Sequence, residues 1–160
     1  MNSQRLVLVL FLIGTAMGVF AQQSATPSPK SNAIAIGLFQ GGGGLIGVDY
    51  ERLIAGGLGV QAGVGLVSFG AGLTYHFEET ADSNALWLGL WNQGIPGDTN
   101  STTYWGISYI MRGWGWLNGQ LGLAYVPFRG AQAAANLQSL SGQSPPPIAL
   151  LYSLGWYKVF

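Results

Sequence analysis

The chain contains no cysteine, and few of its residues carry a charge. The absence of cysteine excludes a disulfide framework and also a lipid-modified N-terminal cysteine. Charged residues make up 8% of the 160 positions, whereas soluble domains usually contain about 25%. The six basic and six acidic residues balance one another, so the chain lacks the basic stripe that a nucleic-acid partner would require. So few charged side chains could cover only a small part of the surface of a water-soluble protein.

Residues that could carry out chemistry are also scarce. His76 is the single histidine, and no second histidine or cysteine is present in the sequence to share a metal ion with it. Gly42, Gly44 and Gly47 have the spacing of a dinucleotide-binding fingerprint, but strand-like alternation follows them where that motif would open a helix. We therefore expect no metal, no cofactor and no catalytic residue, and we predict that the protein is not an enzyme.

The first residues predict export. Arg5 precedes an apolar run over residues 6–20, and the small residues before Gln22 fit a cleavage site. This run is shorter than the roughly 20 residues that a membrane-spanning helix needs. The sequence thus predicts a signal peptide at 1–21, a flexible periplasmic leader rich in Pro and Ser at 22–32, and one domain at 33–160.

Glycine is abundant, with 26 residues, and the mature chain alternates with a period of two. In the stretch VSFGAGLTYHF at 67–77, large apolar residues occupy one parity, and small or polar residues occupy the other. Such alternation is typical of a β-strand with two unlike faces. Eight stretches fit this pattern, although the facing of residues 85–93 is ambiguous and residues 65–68 lack good turn residues between strands three and four.

The character of the second face distinguishes a membrane barrel from a soluble sandwich. The outward face of a soluble sandwich would carry Lys, Glu, Thr and Ser, but here the face opposite the apolar residues is mostly glycine, alanine and uncharged polar residues. If the apolar face meets lipid, the other face can fill a narrow eight-stranded interior, with Tyr104 and Tyr157 as candidate fillers. We predict an all-β fold, an eight-stranded antiparallel up-and-down transmembrane β-barrel.

A small helical membrane protein is the alternative fold. Residues 53–75 carry no charge and are long enough to span a bilayer as a helix. However, this segment contains seven glycines, and each glycine costs roughly 1 kcal/mol in a helix interior. Its polarity also alternates by two rather than by 3.6, which favours strands.

The last apolar run alternates and ends on an aromatic residue: Tyr152, Leu154, Trp156 and Phe160, with Lys158 departing from the pattern. This run resembles the C-terminal assembly signal of bacterial outer-membrane proteins. Together with the export signal and the eight-strand pattern, it makes the mature chain similar to small eight-stranded outer-membrane β-barrel proteins of the OmpX and OmpA-transmembrane-domain type. The resemblance implies a location in the bacterial outer membrane, contact with its lipid, and recognition of the last strand by the barrel-assembly machinery.

Two sets of side chains are candidates for roles in such a barrel. Tryptophans near strand ends are expected to form an aromatic girdle at the lipid boundary: Trp105, Trp114, Trp116 and Trp156. Four ionisable residues share inward parity near the periplasmic strand ends and are expected to form one charged layer in the lumen: Asp49, Glu51, His76 and Arg112. Because buried charges need partners, we predict that Arg112 pairs with Asp49 or Glu51.

The long connection at 129–147 is the main candidate for contact with a partner. It contains helix formers at 131–140, followed by prolines. Binding residues commonly lie on loops held by a rigid scaffold, so an extracellular ligand is expected here if the protein has one. The predicted function is a structural or surface-interaction role with a lumen largely filled by side chains. A narrow pore for ions or small solutes is the alternative, and the sequence leaves ligand identity and oligomeric state open.

Overall fold

The computed structural model describes residues 30–160, apart from the side chains at 113 and 114. The predicted signal peptide at 1–21 lies outside the described residues, as do residues 22–29 of the predicted leader. The described part of the chain contains eight strands: β1 (Asn32–Leu38), β2 (Ile46–Ala55), β3 (Leu58–Gly65), β4 (Ser68–His76), β5 (Ala85–Gln93), β6 (Thr102–Trp114), β7 (Leu117–Arg129) and β8 (Ile148–Val159).

The strands form one closed antiparallel barrel in which each strand pairs with the next and β8 pairs with β1. The prediction of an all-β, eight-stranded up-and-down barrel is confirmed. At one rim, Asn32 and Phe160 close the ring by exchanging two backbone hydrogen bonds of 3.0 and 2.9 Å. We call this rim, where β1 begins and β8 ends, the near end, and we call the opposite rim the far end. β1 begins at Asn32, which is also the last residue of the leader predicted at 22–32.

Side chains alternate between the two faces of the wall, as the period of two predicts. On β1, Ile34 is exposed whereas Ala33 is buried. The ambiguous strand β5 follows the same rule, because Leu88 is exposed while Trp87 and Trp91 are buried in the lumen. Large apolar side chains therefore cover the outside of the wall, and the lumen receives small and polar side chains together with a few large ones.

The helical alternative is wrong. Residues 53–75 form the end of β2, all of β3 and most of β4. In this segment the alternation of polarity was therefore a better guide to structure than the absence of charge. Among the residues that the structure describes, no helix is both long and apolar enough to cross a membrane.

The hairpin between β3 and β4 is tight, despite its poor turn residues. Gly65 pairs with Ser68, which leaves Leu66 and Val67 as a two-residue turn. Val67 has a φ of 54°, which is unusual for a β-branched residue. Its carbonyl accepts a hydrogen bond of 2.8 Å from the N–H of Gly94 in the next far-end loop. A neighbouring connection therefore helps to hold this turn.

Two far-end connections contain short helical segments. The first, α1 (Gln40–Gly43), is one irregular turn between β1 and β2. The second, α2 (Ala131–Ser141), lies between β7 and β8, where the sequence contains helix formers, and none of its residues is buried. The carbonyl of Thr99 accepts hydrogen bonds from the N–H groups of Gln132 and Ala133 in the first turn of α2. These bonds link α2 to the neighbouring far-end loop.

Candidate functional site in the lumen

An ion-paired layer crosses the lumen close to the near end. Arg112 on β6 donates through Nη1 to Oε2 of Glu51 on β2 (2.5 Å), and Nε2 of His76 on β4 donates to Oε1 of the same carboxylate (2.7 Å). All three side chains are at most 2% exposed. The three strands bring them to one level because each residue has inward parity near the same end of its strand. Three of the four residues predicted for a charged layer are thus in contact.

Arg112 also binds groups from other parts of the near end. Its Nε donates to Oδ1 of Asn118 on β7 (3.0 Å), and its Nη1 donates to the carbonyl of Ala81 (2.6 Å). The guanidinium lies 5.3 Å from the ring centre of Tyr157, which is the geometry of a cation–π contact. Tyr157, expected to fill the lumen, is buried there. One buried cation therefore ties β2, β6, β7, β8 and the β4–β5 connection together.

Ser83, in the connection between β4 and β5, also belongs to this network, although nothing in the sequence pattern indicates it. Its Oγ lies 3.2 Å from Nδ1 of His76, so Ser83, His76 and Glu51 have the residue types of a hydrolase triad. However, Ser83 Oγ also lies 3.1 and 3.3 Å from the carbonyl oxygens of Thr80 and Glu78. A hydroxyl that donates within its own turn fits a structural role better than that of a nucleophile. No periodic signal marks a serine in a loop.

The same connection is fastened to the start of the barrel. Lys30 Nζ donates to Asp82 Oδ2 (2.5 Å), and the N–H of Ala81 donates to the carbonyl of Lys30. The hydrogen bond from the Lys30 ammonium holds the pKa of the Asp82 carboxyl below its usual value. The near end is therefore covered by an ordered segment, and this segment supplies the carbonyl of Ala81 to Arg112.

Asp49, the fourth residue predicted for the charged layer, lies apart from the other three. It is two residues before Glu51 on β2, and its Oδ2 accepts a hydrogen bond of 3.1 Å from the N–H of Gly41. The carboxylate that pairs with Arg112 is thus that of Glu51 and not that of Asp49. Asp49 instead holds a segment of main chain that enters the barrel from the far end.

The connection between β1 and β2 folds into the far mouth of the barrel instead of projecting outward. All of α1 is buried, and we call residues 39–44 the glycine plug. Gly41 and Gly42 have φ values of 65° and 83°, and a Cβ atom at either position would overlap the main chain of Val64 or Phe69. Glycine satisfies both requirements, which accounts for the run GGGG. The sequence predicted a turn here but not its inward direction.

Groups from three strands attach the glycine plug to the wall. Besides the bond that Gly41 donates to β2, Ser68 Oγ donates to the carbonyl of Gly41 (2.7 Å), and Gln93 Nε2 donates to the carbonyl of Gly43 (2.8 Å). Gln40 is 1% exposed, yet neither its Oε1 nor its Nε2 has a hydrogen-bond partner within the described part of the chain. The plug is therefore held through its main chain, while one of its side chains is unsatisfied.

An apolar cluster fills the lumen on the side of β5 to β8. Trp87 and Trp91 have ring centroids 6.0 Å apart and pack with apolar side chains of β6, β7 and β8. Tyr104, expected as a filler, packs against this cluster, and its hydroxyl donates to Gln93 Oε1 (2.9 Å). The two tryptophans are the largest fillers. The sequence did not identify them, because Leu and Trp alternate in β5 without a polar face.

The side of the lumen formed by β2 to β4 is polar. Apart from glycine, its buried inward residues are Asp49, Glu51, Gln61, Ser68, Thr74 and His76. Gln61 Oε1 and Thr74 Oγ1 have no hydrogen-bond partner among the described atoms. Buried polar atoms of this kind are usually satisfied by ordered water. The two sides of the lumen thus differ in chemistry, one being packed with aromatic and aliphatic groups and the other with hydrogen-bonding groups.

The predicted aromatic and C-terminal residues whose side chains the structure describes lie on the outside of the wall. Trp116 and Trp156 pack together toward the near end, with ring centroids 5.9 Å apart. Trp105 is exposed near the far end of β6, and the side chain of Trp114 lies outside the described part of the chain. The residues predicted for an assembly signal are all exposed: Tyr152, Leu154, Trp156 and Phe160.

The loop at 129–147 is built around α2 and stands at the far end. Arg129 Nη1 donates to the carbonyl of Pro146 (3.2 Å), which joins the two ends of the loop. Leu140 is 85% exposed. The loop is thus ordered at its base and presents an uncharged helix.

Neither a metal site nor similarity to a known protein indicates a function for the lumen. Within residues 30–160, no group of three or more His, Cys, Asp or Glu side chains is placed to hold a metal ion. No family model, no curated protein and no solved structure matches the chain.

Proposed function

We propose that the protein is a small bacterial outer-membrane β-barrel with a structural or surface-interaction role, that it is not an enzyme, and that its own groups fill its lumen. One observation supports this most strongly: the barrel is inverted relative to a soluble protein. Its outer wall carries exposed Ile, Leu, Val, Phe, Tyr and Trp, whereas Glu51, His76 and Arg112 are buried inside. In water both arrangements are unfavourable, but in a bilayer the wall meets hydrocarbon and shields the charges from it.

The distribution of residues along the wall supports the same proposal. Outward aromatic side chains lie toward both rims, with Trp116 and Trp156 near one and Trp105 near the other. Arg52 and Lys158 face outward close to the near end. A cation costs about 0–1 kcal/mol at such a position and about 2–4 kcal/mol at the bilayer midplane. In this proposal the predicted signal peptide directs export, and the barrel-assembly machinery recognises β8.

The filling of the lumen favours a scaffold over an open pore. The glycine plug occupies the far mouth, and the layer of Arg112, Glu51 and His76 crosses the lumen at the near end. An eight-stranded barrel has an interior just wide enough for side chains. The loop at 129–147, with its exposed helix, is then the surface best suited to contact a partner outside the cell.

Single-cysteine variants would test the proposed topology. Because the chain has no cysteine, a thiol reagent would label only the introduced residue. The full chain would carry Leu140→Cys in the far-end loop, Glu79→Cys in a near-end loop, or Leu88→Cys on the outer wall, and would be expressed in a Gram-negative bacterium. With a membrane-impermeant maleimide, position 140 should react in intact cells, and position 79 only after the outer membrane is permeabilised. Position 88 should react only after unfolding. Reaction at all three positions in a soluble fraction would contradict the proposal.

A narrow pore is the second candidate, because the unsatisfied Gln61 and Thr74 leave the polar side of the lumen able to hold water. Planar-bilayer recordings would use protein whose mobility on gels shifts on heating, which demonstrates a folded barrel. Steady single-channel conductance would favour the pore. Silence from folded protein would favour the filled scaffold.

A further inference from the structure

The wall of the barrel is incomplete beside the far half of β8. The pairing of β1 with β8 ends where Leu38 lies opposite Leu154, whereas β7 continues to pair with β8 as far as Ile148. Residues 148–153 thus have a strand neighbour on one side only in the described structure. At Phe39 the chain turns into the lumen, at the point where β1 would otherwise have continued to cover this edge.

A pocket of about 210 Å³ lies at this gap. Its lining includes Gly43 of the glycine plug, Trp91 and Tyr104 of the apolar cluster, and four consecutive residues of β8, 149–152. Those four residues alternate in direction: Leu151 is buried inside, whereas Leu150 is 65% exposed outside. The pocket therefore joins the outer surface of the wall to the apolar side of the lumen, and we call it the lateral cleft.

The lining of the lateral cleft combines polar and apolar groups in similar measure. No charged residue lines it. Two of the polar side chains that line it are bonded to the protein, because Tyr104 donates to Gln93 and Gln93 donates to the carbonyl of Gly43. A charged ligand would find no counter-ion there, whereas an amphipathic ligand would meet both apolar and polar groups. A cavity of about 150 Å³ accommodates benzene, so the cleft has room for a short stretch of alkyl chain.

The mouth of the cleft continues the lipid-facing surface. Phe39 and Tyr152 form its lip, packed edge to face with ring centroids 5.0 Å apart. Leu150 and Leu154 beside them are exposed on the outer wall. The one-sided pairing of residues 148–153 leaves main-chain groups facing the gap, and such groups need hydrogen-bond partners. The mouth thus combines an apolar surface with unpaired polar main chain, which is the chemistry of an amphipathic ligand.

We propose that the lateral cleft binds a lipid of the surrounding bilayer, with the end of one acyl chain against Trp91 and the polar region of the lipid at the free edge of β8. This inference rests on the proposed membrane location. The bound chain completes the wall where β1 is missing, and its burial against aromatic groups stabilises the complex. A lipid is the occupant that the proposed location supplies, because the mouth of the cleft lies between the exposed side chains Leu150 and Tyr152 of the outer wall.

Tryptophan quenching by lipids brominated on their acyl chains tests this directly. The full chain, purified from membranes and folded as judged by heat-modifiable mobility, would be placed in phosphatidylcholine vesicles with and without brominated chains. Differences between wild type and Trp91→Phe, Trp105→Phe or Trp87→Phe isolate the emission of each tryptophan. Trp105, on the wall, should be quenched. Trp91, only 6% exposed, should lose its emission to a similar extent, whereas Trp87, which packs against Trp91 but does not line the cleft, should lose less of it.

A blocking variant makes the test specific. Ala149→Leu would fill the cleft from β8 and should protect Trp91 while leaving the quenching of Trp105 unchanged. Ala62→Leu adds the same volume on the exposed outer wall of β3, outside the pockets that Trp91 and Trp105 line, and should protect neither; Ala149→Val replaces Ala149→Leu if the latter does not fold. Quenching of Trp105 without quenching of Trp91 would overturn the cleft and leave the membrane location intact. Quenching that persists at Trp91 in the folded blocking variant would also overturn it. Absence of quenching at Trp105 would refute the membrane location itself.

Discussion

Arg112 and Glu51 lie on strands that are four positions apart in the eight-stranded ring, and the guanidinium of one donates to the carboxylate of the other. The contact therefore spans the barrel between opposite sides. The two residues are 61 positions apart in sequence, and both side chains are buried. An ion pair in this position acts as a brace between the two sides of the barrel. Removal of either partner would leave the other charge buried without a counter-ion.

Replacing Arg112 by Met should lower the free energy of unfolding by about 3–5 kcal/mol, because Glu51 would stay buried without its cation. Urea unfolding in detergent, followed by the fraction with heat-modifiable mobility, would measure this. Arg52→Met, which removes an outward-facing cation near the rim, should change stability by only about 0–1 kcal/mol. Adding Glu51→Gln to Arg112→Met should restore part of the loss. If the double variant is no more stable than the single one, the brace is not electrostatic.

Replacing Gly42 by Ala should destabilise the protein more than replacing Gly97 by Ala. Both glycines have nearly the same φ, 83° and 84°, so both variants pay about 1–2 kcal/mol for a left-handed alanine. At Gly97 nothing lies within 4 Å of the added Cβ, whereas at Gly42 it would overlap the main chain of Phe69. The difference between the two unfolding free energies therefore reports the fit of the glycine plug. Equal effects would mean that the plug does not occupy the barrel.

Gln40→Leu should raise the free energy of unfolding by about 1 kcal/mol or more, because it replaces two buried polar atoms that lack partners with an apolar group of similar size. The same change at Gln138, on the exposed helix α2, should stay within about 0.5 kcal/mol. A loss of stability in Gln40→Leu would show that ordered water or a ligand satisfies this amide in the folded protein.

Trp87→Ala should cost about 3–5 kcal/mol, since it empties the centre of the apolar cluster. Trp105→Ala should cost less, because Trp105 stands on the outer wall, where lipid or detergent can occupy the vacated space. Unfolding of both variants under identical conditions gives the comparison. Equal losses would show that Trp87 is not the filler described above.

The strands and their facing could be predicted from sequence because a barrel wall imposes a period of two on every strand. At residues 65–68 the large apolar residues also change from even to odd positions, as a tight hairpin demands, and the structure has a hairpin there. The charged residues of the near end were also recognisable, since inward parity and position along the strand decide their level. What remained hidden depended on distances across the lumen, such as the choice of Glu51 over Asp49 as the partner of Arg112.

The glycine plug shows most clearly why sequence was insufficient. A run of four glycines predicts a flexible turn, but its direction depends on how closely Gly41 and Gly42 approach strands β3 and β4. No local pattern reports this distance. The tryptophans of β5 were hidden for a related reason, because their strand is apolar on both faces, and room for Trp87 depends on Gly72 of β4 and Gly89 of β5. Ser83 lies in a connection, where periodicity gives no information.

The division of the lumen implies that the barrel does not loosen evenly. The side from β5 to β8 is held by packing of large apolar groups, whereas the side from β2 to β4 is held by hydrogen bonds and ion pairs. Segments with few buried apolar contacts open locally at a lower free energy. Amide hydrogen exchange should therefore be faster in β2 to β4. Such an opening would release two attachments of the plug, at Asp49 and Ser68, while Gln93 on β5 kept its bond to Gly43. The plug would then keep one of these three side-chain bonds to the wall, besides its covalent links to β1 and β2.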